Sequence, residues 1–433
     1  MSTHSAQWIT TARLLRRTGF GTTGAAVDAS VPIGAAATVA SMMSAPSTAP
    51  LPPPSFEPVA QLSKGASKEE RHKRNEQLRA QLTELTTWWL RSMIATPHPF
   101  TEKLTFLWHN HFATAANKVR YAPLLLAQNQ TFRRLGRGDF RALALAMLTD
   151  AAMLRWLDGE KNTAKAPNEN LSREFMELFT LGHGDDYTET DVREGARALT
   201  GWRIAPDGSV AMRAKLHDTG TKTVLGVTGN LDQVGFCDAV LAGPSSARFV
   251  ATRMWGQLVS DQPPPSAVVD RLVAAYGPRR GLSALLTTML TAPEFAAARA
   301  TTVIGPLEWV VGAVRALHVP IDDVAAAKKI LVVLRALGQI PLYPPNVSGW
   351  PNGHAWLSTA AADTRMQAAV AFADAADLSA LSSTAQSQRV DAVGHLLGIG
   401  EWTTRSRSVL SGAAGNPQRL AALALNTPEY LTE

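Results

Sequence analysis

Pro344-Pro345-Asn346-Val347-Ser348-Gly349-Trp350-Pro351-Asn352-Gly353-His354-Ala355-Trp356 lies between two alanine- and leucine-rich segments that read as helices. Proline fixes φ and removes a donor, and glycine opens φ > 0, so this backbone is shaped without a helical hydrogen-bond ladder. A solvated linker would not carry Trp350 and Trp356, whose large apolar areas favour burial. The stretch therefore reads as an ordered, packed loop in a helical protein, and such loops are where sites tend to be built. Trp350 is expected to be largely buried, with Asn346 and Trp356 helping to fix the loop. His354 is its one side chain suited to chemistry, and it is expected near the helix bearing Glu174 or near His217.

Outward from the loop the pattern is helical. Residues 232–337 repeat alanine, leucine and valine at helical period, with Pro244, Pro263, Pro264, Pro265, Pro293, Pro306 and Pro320 separating the segments. Helices are also expected over 10–17, 68–93, 100–112, 123–135, 139–157, 168–181 and 188–200. The last of these opens on Thr188 with Asp191 three residues on, a near match to a capping box. Residues 44–58 hold Pro46, Pro50, Pro52, Pro53, Pro54 and Pro58 and read as an extended connector. Short β-like pieces and glycines over 204–227 suggest one small hairpin, and no period-two alternation is sustained over several segments. The expected fold is mostly α: a large multi-helix domain with ordered irregular loops and at most a small β-hairpin. An N-terminal helix and Pro/Ser-rich connector would occupy 1–62, and a single large α-helical domain 63–433.

A hydrophobic content of 45% with 18% charged residues is an ordinary globular balance, enough for a sizeable core. The net charge of +6 is partly local, in a basic run from Lys64 to Arg79. Nucleic acid is one partner such a run suggests, but Glu69, Glu70 and Glu76 are interleaved at pairing distance, which favours a solvated helix face. The one cysteine, Cys237, excludes an intrachain disulfide and a multi-thiolate metal site, and its apolar neighbours suit a small buried side chain. No run of eighteen apolar residues marks a transmembrane helix. Arg16-Arg17 faintly resembles a twin-arginine export signal, but the apolar stretch that follows, residues 33–43, is too alanine-rich and too deep. The cytoplasm is the default expectation, with export left open.

Four segments together resemble one family: Trp108-His109-Asn110-His111-Phe112, residues 168–182, residues 187–202 ending in Leu199-Thr200-Gly201-Trp202, and residues 344–356. Their order and flanks are similar to the bacterial family catalogued as domain of unknown function 1800. His217-Asp218-Thr219-Gly220 and Leu14-Leu15-Arg16-Arg17-Thr18-Gly19-Phe20-Gly21 fit the same pattern, so the resemblance runs from about residue 14 to 357. It implies no assigned activity. Members are often encoded beside a sulfatase-like family, domain of unknown function 1501, and many are exported, which implies a sulfatase-like protein as partner.

Several constellations carry ligand-type side chains. His109 and His111 look like a metal pair, but residues two apart on a helix point about 200° apart, so both cannot meet one ion. His111 follows Leu104, Leu107 and Trp108 on the apolar face and reads as a hydrogen-bonded core histidine or a single ligand of a composite metal site, with His109 exposed. Leu171, Phe175 and Leu178 define a buried helix face, and Glu174 lies about 60° from its centre. A carboxylate there needs a partner, for which Arg193 and Arg197 are candidates. The alternative is that Glu174 and Glu177, three apart, act as paired carboxylates for acid–base or metal work. His217-Asp218 could serve as base and orienter or as metal ligands, or form a turn in which Asp218 accepts from following amides. Residues 182–186 read as a helix stop and turn.

Phosphate-loop, dinucleotide, nucleophile-elbow and His-Glu-x-x-His motifs are absent from the sequence, and no cofactor is specified. The leading expectation is an accessory or binding module acting with a sulfatase-like partner. The alternative is a metal-dependent hydrolase with Glu174, His217, Asp218 and His354 as catalytic groups and His111, Glu174, His217 and Asp218 as metal ligands. Nucleic-acid binding ranks last, because no motif accompanies the basic run.

Overall fold

Helix α1 spans Ala6–Arg17, α2 Gly24–Ser30, α3 Ala35–Ser44, α4 Lys68–Ala95 and α5 Pro99–His111 in the computed structural model, which describes residues 4–184, 186–297, 302–321 and 323–432. The protein is 63% helical with 4% in strands, which is the mostly α fold expected from the periodicity. Where one hairpin is expected, two form. Trp202–Ile204 (β1) pairs antiparallel with Val210–Met212 (β2), and Lys222–Val224 (β3) with Val227–Gly229 (β4).

Local chemistry sets the helix ends. Ser67 and Glu70 close a reciprocal capping box at the start of α4, and Thr188 and Asp191 do the same for the Glu189–Ala198 helix. Residues 45–67 form no helix, as their prolines require, yet they are strapped down: Trp88 Nε1 donates to the Leu51 carbonyl and Gln81 to that of Glu57. In the basic run, Arg74 Nε reaches the Ala60 carbonyl, and His72 pairs with Glu76 at 3.1 Å.

Two apolar clusters make the core. One gathers Trp89 and Met93 of α4 with Leu307, Val310 and Val314 of the Pro306–Ala316 helix and the C-terminal helices. The other gathers Phe140, Phe175, Phe179, Phe236, Val250 and Leu286. Helix α5 belongs to both, with Phe106 in the first and Phe100, Leu104, Leu107 and Trp108 in the second. A helix buried all round must satisfy its polar groups inside the protein. Arg133 accordingly meets Glu102 through Nε at 3.1 Å and Nη2 at 2.8 Å, Trp89 Nε1 donates to the same carboxylate, and Lys103 pairs with Glu308.

The Pro344–Trp356 loop is ordered as expected. Trp350 is 3% exposed and stacks on Phe106 with centroids 5.3 Å apart. Its backbone N–H donates to Asn110 Oδ1 at 2.7 Å. Gly349 sits at φ +85°, and a Cβ there would fall 2.2 Å from the same Asn110 oxygen, so only glycine lets the loop approach α5. Cys237 is buried, as its neighbours suggested.

Candidate functional site

The helix expected over 168–181 is not uniform. It is α-helical over Asn170–Glu174 and π-helical over Phe175–Thr180, where the Leu181 N–H donates five residues back to the Met176 carbonyl at 2.8 Å. The wider turn still buries Phe175, Met176 and Phe179. Gly195 of the Glu189–Ala198 helix lets the two helices meet, since a Cβ there would lie 2.3 Å from Ser172 Oγ and 2.4 Å from Phe236.

His111 meets this segment. Its Nε2 lies 2.9 Å from the Phe179 carbonyl, so Nε2 carries the proton and donates, and the buried Nδ1 lone pair has no partner. Burial, reinforced by the nearby charge of Arg253, pulls the imidazole down to about 3, so it is neutral at pH 7. Arg253, on the Pro244–Leu258 helix, sends Nη2 toward the Ser348 carbonyl at 3.5 Å and is itself pulled down by burial. Three of the motif segments thus converge here: Trp108–Phe112, the π turn, and the tryptophan loop. His109, expected to be exposed, is instead 1% exposed and pulled down to about 3 by burial. Its Nε2 accepts from the Leu342 N–H at 3.2 Å.

Glu174 is half-buried, and its carboxyl is pushed up by burial and then by the charge of Glu177. Arg193 and Arg197 are not its partners: Arg193 donates to Thr190 Oγ1, and Arg197 meets Glu194 and Asp218. Glu177 pairs with His183 at 2.8 Å and accepts a hydrogen bond from Tyr187. Arg173 holds Glu169 and Glu189 on the outer face. The turn over 182–186 follows as expected, with Asp185 outside the described residues.

His217 and Asp218 are engaged in holding a hairpin. Arg197 Nε and Nη2 reach the Asp218 carboxylate at 2.7 and 3.2 Å and hold it below the usual carboxylate range, while Gly220 N donates to it at 2.8 Å. His217 Nδ1 lies 3.0 Å from the Thr200 carbonyl. Glu194 accepts from Thr223 N and Asp191 from Leu225 N, so the β3–β4 hairpin is bound to the Glu189–Ala198 helix. His354 is exposed on a 3₁₀ turn, Gly353–Trp356. Among the described residues, no three His, Cys, Asp or Glu side chains are grouped to hold a metal ion.

A different feature lies away from the histidine and carboxylate candidates, although the Leu14–Gly21 segment forms part of its wall. A cleft of about 860 Å³ opens between α1–α3, the α4–α5 junction and the Pro306–Ala316 helix. Leu15, Phe20, Ile33, Met42 and Phe100 are among its walls. Its sequence signals are the Leu14–Gly21 segment and the apolar, alanine-rich run over 33–43, neither of which specifies a ligand.

No curated protein and no solved structure matches the chain. The family described as "Protein of unknown function (DUF1800)" matches residues 13–432, the span that carries the converging segments around α5, the π turn and the tryptophan loop, and the chain belongs to that family.

Proposed function

We propose that the protein is an accessory binding module that acts with a sulfatase-like partner of the domain of unknown function 1501 family. One observation carries this reading: several polar groups of the signature segments are engaged in fastening one segment to another. His111 holds the π turn, Asn110 holds the tryptophan loop, and Asp218 is occupied by Arg197. Groups engaged in this way build a rigid scaffold rather than a set of free acids, bases and ligands. The scaffold displays a charged outer ridge of Glu169, Arg173, Glu177, His183 and Glu189, suited to steering a complementary protein surface. Purified chain and purified sulfatase-like protein, mixed and followed by sedimentation velocity, should form a complex that weakens as salt rises. Two separate species at every ratio would remove this reading.

One observation favours the enzyme reading. Glu174 combines partial burial, a raised carboxyl pKa and a second carboxylate three residues on, a combination found at acid–base sites. A hydrolase activity of the purified protein, abolished in E174Q and intact in H217A and D218N, would establish Glu174 as the acid without the wider Glu/His/Asp cluster.

A further inference from the structure

The cleft beneath α2 and α3 joins a cationic end to largely apolar walls. Its lining includes Arg315, His98 and His318 and, among the described residues, no carboxylate. Arg315 uses Nη1 to close the end of α4, donating to the carbonyls of Met93, Ile94 and Thr96 at 3.3, 2.6 and 3.0 Å. Its Nη2 and Nε make no hydrogen bond and no carboxylate pairs with it among the described residues, although burial pulls its pKa down. The His98–Phe100 end of α5 also faces the cleft, adding the positive end of a 13-residue helix dipole. Beyond this cationic end apolar side chains predominate, with Leu15, Phe20, Ile33 and Met42 on one side, interspersed with hydroxyls such as Thr18, Thr38 and Ser41, and Val314, Val319 and Ile321 on the other.

An apolar bend flanks the cleft. α2, with its 3₁₀ extension, and α3 meet at a 105° bend, where Gly34 adopts φ +80° with nothing within 4 Å of a would-be Cβ. Ile33 stands 58% exposed at that bend. The volume lies within the range of pockets that enclose small organic ligands.

We infer that this cleft binds a single-chain anionic amphiphile of the fatty-acid class. The carboxylate would meet the free Nη2/Nε edge of Arg315, which presents two parallel donors, and the alkyl chain would lie along the apolar walls toward Ile33. This site is separate from the partner-binding ridge and does not rest on that reading.

The test is calorimetric titration of the full chain with palmitate below its aggregation concentration. One-to-one binding is expected, with hexadecanol weaker by about tenfold, because the alcohol lacks the charge-assisted pair. R315Q should lower palmitate affinity by a similar factor of about ten. Since Arg315 also caps α4, a second variant guards the outcome: S41W places an indole into the cleft from an exposed position of α3 and should abolish binding in a protein with native circular dichroism. Absence of palmitate binding, equal affinity for hexadecanol, or unchanged binding in S41W would each overturn the inference. So would binding confined to phosphatidylglycerol vesicles, which would make the bend a membrane contact.

Discussion

Around the last turns of α5, most buried polar groups find a partner within the protein; in the cleft behind α2 and α3, an arginine edge and an exposed isoleucine face open space. His109, Asn110 and His111 each reach a different segment, while Ile33 and the free edge of Arg315 reach none. The difference separates two uses of unusual residues. A sequence motif dense in histidine, asparagine and tryptophan is building a junction, because irregular backbone buried against a helix needs side-chain donors and acceptors. A run with little charge and much alanine has shaped a concave surface. His109, Asn110 and His111, which look chemical in the sequence, thus each fasten a different segment.

The contrast can be broken by substitution. The largest effect is expected at G349A, where the new Cβ must clear the Asn110 side chain and backbone at a positive φ. A loss of about 3–5 kcal/mol, or failure to fold, should appear in urea unfolding. E102A should cost about 3–5 kcal/mol, since it leaves the Arg133 guanidinium buried without its carboxylate, whereas E102L/R133M should recover most of that loss. If the double variant is as unstable as the single, the pair does more than neutralise itself.

A third test is the pH dependence of stability. His109 and His111 are both pulled down to about 3, so the folded state refuses protons that the unfolded chain accepts below its ordinary histidine value. Their contribution is present above pH 6.5 and is lost as pH falls toward 3, at about 2.7 kcal/mol per pH unit for two protons. Asp150 works the other way. Burial pushes its carboxyl up to about 7, so its contribution is full below about 4 and disappears as pH rises through 7. Between these limits the net slope should be about 1.4 kcal/mol per pH unit, steepening in D150N, which keeps an N-cap side chain on the Ala151–Trp156 helix. A flat profile would mean that the histidines are hydrated.

Smaller effects belong to the open surfaces. S41W, in the cleft, should change stability by no more than about 0.5 kcal/mol, and R173A, in an exposed ion-pair set, by about 0–1 kcal/mol. A cleft variant as damaging as G349A would erase the distinction between junction and cleft.

Much of this architecture is legible in the chain itself. Helical periodicity, the Thr188–Asp191 cap and the two tryptophans of the loop each state their structural role directly. His109 misleads because α5 carries Glu102, Lys103 and Asn110, which make it look two-faced; only the partners Arg133, Glu308 and Leu342, distant in sequence, show that every face is buried. The π turn has no local signature, since Phe175-Met176-Glu177-Leu178-Phe179-Thr180 would suit an α-helix equally well. Asp218 could be read either as a ligand or as a turn residue; its bond from the Gly220 amide is local and legible, whereas its ion pair with Arg197, 21 residues away, is not. The cleft is illegible for a different reason: it belongs to the spacing between α1–α3 and the Pro306–Ala316 helix, and no single segment encodes that spacing.

Arg16 of α1 donates to the carbonyls of Glu429, Tyr430 and Thr432, closing a loop of more than 413 residues, and Arg17 reaches those of Leu258 and Gln257. Loop closure on that scale places α1 among the latest elements to settle. During synthesis, α1 must wait for the Pro428–Leu431 turn, which is made some four hundred residues later. The cleft that α1 helps to wall is therefore completed only once that turn has docked, and any ligand it holds would be captured after this contact forms.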